Sequence, residues 1–166
     1  MPYTERQKFD QWWVLIPMIS MNLLFLTGIV LQLFLKIKFG HKPMSDTALV
    51  VFFFLLLSFC FLFLKIQLET RINSDGVYVR FFPFQLAEKF YPWSNIDKAY
   101  VRKYKPIMEY GGWGLRTGLS GKNKAFNISG NMGLQLVLLN GNKILIGTHN
   151  ATELEEWLTE NKFLRS

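Results

Sequence analysis

The chain has 166 residues, room for one ordinary domain and a membrane anchor. Half are hydrophobic, 16 are Phe, and Lys plus Arg exceed Asp plus Glu to give a net charge of +7. One cysteine, Cys60, excludes an intrachain disulfide and a cysteine-ligated metal cluster; two histidines, His41 and His149, exclude most histidine metal sites, so no cofactor is expected.

Residues 1–11 are short, polar and mixed in charge, and read as a flexible or interfacial tail. Residues 12–35 form an apolar run too long for the core of a signal peptide and long enough to cross a bilayer with some tilt. Trp12 and Trp13 suit the headgroup boundary, and Pro17 falls in the opening turns. Ser20, Asn22, Thr27 and Gln32 make no single polar stripe, so they read as helix–helix hydrogen-bonding groups rather than a pathway. No Asp, Glu, Lys, Arg or His interrupts the run, as a transporter or proton relay would require.

Residues 36–46 are a short loop, with Ser45 and Asp46 as N-caps for the second apolar run, residues 47–64. At ~1.5 Å per residue this run covers about 27 Å, close to the hydrocarbon thickness of a bilayer. Two spans put both termini on one side. Near their ends the terminal side carries Arg6, Lys8, Lys65, Arg71 and Arg80 against Lys36, Lys38 and Lys42 in the loop, which favours cytoplasmic termini in an inner (cytoplasmic) membrane.

From residue 65 the period changes to two. Ile66, Leu68, Thr70 and Ile72 alternate with charged and polar residues, Asn73-Ser74-Asp75-Gly76 turns the chain, and Val77, Val79 and Phe81 resume the alternation. Pro83 ends that strand, and a third is expected over residues 85–93. In residues 96–104, Ala99 and Val101 face one way while Lys98, Tyr100, Arg102 and Tyr104 face the other. Residues 110–133 hold 7 of the 12 glycines, with short strands near 113–116 and 125–128. Residues 134–139 and 143–146 flank Asn140-Gly141, which fits a two-residue type I′ hairpin. Asn150 and Glu153 suggest a capping box opening a helix that runs to about residue 163, its apolar stripe Leu154, Trp157 and Leu158.

About seven antiparallel strands closed by one amphipathic C-terminal helix is the order of a pleckstrin-homology-like (PH-like) barrel. Tyr110-Gly-Gly-Trp-Gly-Leu-Arg116, the segment 125–130, and residues 134–148 ending Ile-Gly-Thr before the helix resemble the bacterial PH-like domains of small integral membrane proteins. The resemblance implies an α+β chain: two transmembrane helices, then an antiparallel barrel or sandwich over residues 65–166 capped by a helix. It implies no shared catalytic activity. The loop at residues 73–76 holds an acid and no base, unlike the basic first loop of phosphoinositide-binding relatives.

Between Lys65 and His149, twelve Lys and Arg face five acids, so the β region is the basic part. Lys98, Tyr100, Arg102, Lys103 and Lys105 form the best charged surface, a candidate for anionic lipid or an acidic partner. Tyr110, Trp113 and Arg116, set among glycines, form a candidate recognition edge. Gly112 to Gly118 misses the dinucleotide spacing, and Gly118-Leu-Ser120-Gly121 misses the nucleophile elbow. The expectation is a non-enzymatic, membrane-anchored module that binds lipids or a protein partner and no nucleic acid, with homo-oligomerisation left open. The alternatives are an accessory subunit of a larger membrane complex, or an enzyme using the Gly-rich face.

Overall fold

The computed structural model describes residues 1–9, 11–118 and 123–164. The chain divides into two units: Asp10–Lys65, which is helical, and Met1–Phe9 with Ile66–Ser166, which carries the strands.

In the helical unit, α1 (Trp12–Ile29) continues into a π-helical turn, Val30–Phe34, and α2 spans Asp46–Leu64. Both the 23-residue helix Trp12–Phe34 and α2 are long and apolar enough to cross a membrane. Gly28 is buried, and a Cβ there would come within 2.9 Å of the Phe39 ring, so glycine permits the close approach. The Ser45 side chain accepts from the Ala48 N–H at 3.3 Å, the N-cap expected of it. Gln32 donates to the Met44 carbonyl (2.8 Å) and to Asp46 (2.6 Å), joining the end of the first helix to the start of the second. Asn22 and Thr27 instead bond to carbonyls four residues back in their own helix.

The other unit contains, among the described residues, two sheets. The first has the order β1-β2-β3-β4: β1 (Tyr3–Lys8), β2 (Gln67–Ile72), β3 (Gly76–Phe82) and β4 (Lys89–Pro92), all antiparallel. Tyr3–Lys8 is therefore a strand and not a tail. It is held by the β2 ladder and by a polar seam: Glu5 accepts from the hydroxyls of Tyr3 and Thr148 (both 2.7 Å) and from the His149 N–H (2.8 Å), and Gln7 donates to the Gly147 carbonyl at 2.7 Å. The helical unit is thus inserted between two hydrogen-bonded neighbours, β1 and β2.

The second sheet has the order β5-β8-β9-β7-β6: β5 (Ile96–Lys103), β6 (Gly114–Thr117), β7 (Asn123–Asn127), β8 (Met132–Leu138) and β9 (Lys143–Gly147). Two features correct the expected antiparallel barrel or sandwich: it is not a closed barrel, and it is not wholly antiparallel. The sheets do not close on each other: they are separate ladders, and the chain leaves β4 at Pro92 and turns through Trp93–Asn95 before β5. And β7 pairs with β9 in parallel, because two successive reversals, into and out of β8, leave them running the same way.

Smaller differences have local causes. The third strand shortens to β4, since residues 85–88 turn and the Gln85 N–H bonds back to the Phe81 carbonyl. In the β8–β9 turn only Gly141 has a positive φ (79°), so the connection is a type I turn with glycine in the left-handed position, not type I′. The C-terminal helix α4 (Ala151–Glu160) starts without a side-chain bond from Asn150. The Thr148 hydroxyl accepts the Asn150 N–H instead, at 3.0 Å.

The main core lies between the sheets and under α4. Leu68, Ile72, Val77, Val79 and Phe81 meet Ile96, Ala99, Phe126, Leu134, Leu136, Ile144 and Ile146, with Leu154 and Leu158 from the helix. Trp157 is only partly buried; its indole N–H donates to the Met1 carbonyl at 2.9 Å.

Candidate functional site

The outer face of the second sheet is not the solvated surface the sequence suggests. A short helix, α3 (Pro106–Tyr110), covers part of it, started by Pro106 in the first turn and ended by Gly111 at φ 72°. Proline just inside the start and glycine just past the end is the ordinary helix asymmetry, so this element had a signal that sequence reasoning passed over. Beneath α3, Tyr104, Tyr110, Ala125 and Leu145 form a second small core, the two tyrosine rings packed edge-on at 6.2 Å.

Buried polar groups complete this face. Asn127 donates to the Tyr104 hydroxyl (3.0 Å) and accepts the Gly114 N–H (2.9 Å). Gln135 donates to the carbonyls of Leu136 and Ile144 (3.2 Å each) and accepts from Arg102 Nε at 3.0 Å. Arg102 then reaches Glu109 with both terminal nitrogens (2.6 and 3.3 Å), and Glu109 also accepts the Lys105 N–H at 2.7 Å. This ion pair fastens α3 to β5. The Arg102 hydrogen bonds hold the Glu109 carboxyl below its usual range, and the same bonds raise the Arg102 guanidinium. Burial pushes the Tyr104 and Tyr110 hydroxyls up.

The candidate residues fall around α3 rather than on one plane. A β-bulge between Ile96 and Lys98 resets the phase of β5, so Ile96 and Ala99 point inward with two exposed residues between them. Tyr100, Arg102 and Tyr110 line a polar cleft of about 440 Å³ together with Glu109, Gln135 and Lys143. Lys103, Lys105 and Trp113 line a second, more apolar cleft of about 500 Å³ with Ile107 and Met108. Lys98 and Arg116 line neither cleft. Lys98 is exposed on β5, and Arg116 sits on β6, its Nε donating to the Trp113 carbonyl at 2.9 Å. The Trp113 indole N–H donates to the Gly130 carbonyl (3.0 Å), which fixes the ring at the cleft wall. Tyr104, expected at the surface, is buried because α3 lies over it. Arg102 pairs with Glu109.

No protein-family model matches this chain, nor does any curated protein.

One further arrangement bears on chemistry. Ser129 Oγ and His149 Nε2 lie 2.6 Å apart, a pair that no motif in the chain signals. Glu5 takes the backbone N–H of His149 rather than its ring, whereas nucleophilic catalysis uses a third group to orient the base. Ser120 lies outside the described residues. Among the described residues, no group of three or more His, Cys, Asp or Glu could hold a metal ion.

What the surface offers is shape and contrast. On α3, Ile107 is 68% and Met108 79% exposed, flanked by the exposed Lys103 and Lys105. Beside them β6 is the last strand of its sheet among the described residues, leaving one ladder edge for an added strand.

Proposed function

We propose that the protein is a membrane-anchored, non-catalytic PH-like binding module whose β unit docks an extended, acidic and apolar segment of a protein partner. In this reading the two apolar helices cross the inner membrane, and both chain ends and the strands lie on the cytoplasmic side. Two packed sheets with a C-terminal helix inserting Leu154 and Leu158 favour the PH-like reading. The parallel β7–β9 pair and the open sheets depart from a simple PH-like barrel.

One observation carries the docking: the cleft beside α3 has an apolar wall of Ile107, Met108 and Trp113 with Lys103 and Lys105 at its rim. A contiguous exposed apolar patch rimmed by polar residues is the form an interaction surface takes. An extended segment could add to the β6 edge by main-chain bonds, place apolar side chains in the cleft and meet the lysines with carboxylates.

A photo-crosslinking residue at Met108 in the full chain, in native membranes, should give one discrete adduct, and the same residue at Glu156 should not. The double substitution Lys103→Glu, Lys105→Glu should remove the adduct. An adduct indifferent to that charge reversal would overturn the acidic partner; none at all would overturn the cleft. Orientation has its own check. A reporter fused after Ser166 should behave as cytoplasmic and one inserted at Gly40 as external.

A further inference from the structure

The loop between β3 and β4 is an apolar stretch at which the chain of the strand unit turns. No charge occurs between Arg80 and Glu88, and the segment reads Phe-Phe-Pro-Phe-Gln-Leu-Ala. Phe84 is 67% and Leu86 77% exposed. The loop is nonetheless built: the Gln85 N–H bonds to the Phe81 carbonyl at 2.8 Å, and the Phe84 ring lies 5.9 Å from that of Phe81. Loops on a soluble surface are ordinarily polar, whereas here two large apolar side chains are held out on one ordered turn.

Strand register says where this turn lies. Lys8 pairs with Gln67, and Gln67 pairs with Phe82. The Phe9 N–H then bonds to the Ile66 carbonyl. The end of the sheet that carries Phe82 and the loop is therefore the end from which the chain leaves at Phe9 and to which it returns at Ile66. α1 starts at Trp12 and α2 ends at Leu64. At ~3.5 Å per extended residue, three residues span at most about 10 Å, comparable to the polar interfacial layer of a bilayer. Covalent length alone keeps this strand end near the membrane surface, whatever the angle between helices and sheet. Lys8 and Lys65, both exposed, flank the two crossings and suit anionic headgroups.

We propose that residues 83–88 form an interfacial membrane contact, with Phe84 and Leu86 inserted into the headgroup layer of the bilayer the helices cross. The inference rests on the membrane-anchored reading above and adds a third attachment, outside the two spans. It gives the strand unit a fixed face toward the lipid. Aromatic and aliphatic side chains at that depth gain apolar burial without entering the hydrocarbon core.

The test uses the full chain in nanodiscs of phosphatidylcholine and phosphatidylglycerol. Cys60→Ser removes the sole cysteine, and an environment-sensitive fluorophore is placed singly at Phe84→Cys, Leu86→Cys, Leu139→Cys or Phe59→Cys. Leu139 is 68% exposed and is the matched control. Its N–H bonds to the Asn95 carbonyl, and Trp93 of the same turn bonds to Asp75, so it lies at the opposite end of the first sheet. Labels at 84 and 86 should lose most of their emission to a quencher on the upper acyl chain and be shielded from aqueous iodide; the label at 139 should do the reverse. The Phe59 label, in α2, should be quenched from the deep acyl chain. If 84 and 86 behave like 139 while 59 is deep, the anchoring stands and the loop contact is wrong. If iodide reaches 59, the anchoring fails and the loop contact with it. Should Phe84→Cys not fold, the Leu86 label alone decides.

Discussion

The first sheet is dry on one face only, whereas the second is also covered over part of its outer face, and that difference creates the candidate site. In β3, Val77, Val79 and Phe81 are buried while Tyr78, Arg80 and Phe82 stay partly exposed, the pattern of a half-buried strand. In β9, Ile144, Leu145 and Ile146 are all buried, because Leu145 points away from the main core into the cluster beneath α3. Outer residues of the first sheet can settle their charges in surface pairs, Arg80 with Glu69 and Arg71 with Glu88. On the second sheet the polar groups are shut away from water, so Gln135, Asn127 and Tyr104 must satisfy one another and the backbone. A sheet wet on one face tolerates change there. A sheet covered over part of its second face has an interior there too, and the clefts open where that cover stops.

The sharpest way to break this comparison is to hollow out each face of the second sheet separately. Phe126→Ala, on the main-core face, should cost ~3–5 kcal/mol, and Leu145→Ala, on the other, ~2–5 kcal/mol. Thermal unfolding of the full chain in detergent measures both. If Leu145→Ala costs no more than an exposed substitution, the outer face is wet and the second core does not exist.

Next in size is the polar floor. Asn127→Ala leaves the Gly114 N–H and the Tyr104 hydroxyl without their partner in a buried place, and should cost about 1–3 kcal/mol. The same measurement checks it, and Trp113 fluorescence should shift if β6 loosens from β7.

A smaller effect separates the cover from what it covers. Because Glu109 has a depressed folded pKa, its pairing with Arg102 contributes stability above the usual carboxylate range. That contribution is lost as the pH falls through the range down to the folded value. The pair is about a third exposed, so solvent screening holds its worth to ~0.2–1 kcal/mol. Glu109→Gln should therefore lower the midpoint slightly at pH 7, and the gap to the unaltered chain should close on acidification. A gap constant with pH would show that the carboxylate does not fasten α3.

The least effect belongs to the exposed side of α4. Glu156→Lys, on its exposed side, should change stability by no more than about 0.5 kcal/mol, whereas Leu158→Ala, fully buried, should cost ~2–5 kcal/mol. Equal costs would mean that α4 does not cover the core by the face its sequence indicates.

These expectations also mark where the sequence is legible. The apolar helices, the β2–β3 hairpin and the stripe of α4 announce themselves because each buries one continuous apolar face, and burial leaves a period. β1 leaves none. Its inward side is Tyr3, Glu5 and Gln7: Tyr3 alone joins the main core, while Glu5 and Gln7 are matched to a hydroxyl, an N–H and a carbonyl about 140 residues away. For the same reason the charged face of β5 read as solvated. Nothing in Lys98, Tyr100, Arg102 and Tyr104 says that a helix five residues long will lie across its end.

By itself, then, the amino-acid order determined what local periodicity can encode: two helices long and apolar enough to span a bilayer, a basic β region following them, and an amphipathic helix near the end. Tertiary structure alone decided that the N-terminal strand pairs with β2 at the edge of the first sheet, and that β7 runs parallel to β9. It also decided that Arg102 spends its charge on Glu109, and that Lys103, Lys105, Ile107, Met108 and Trp113 share one cleft. Each of these depends on pairings between groups far apart in the chain, whose partners leave no repeat for a period to report.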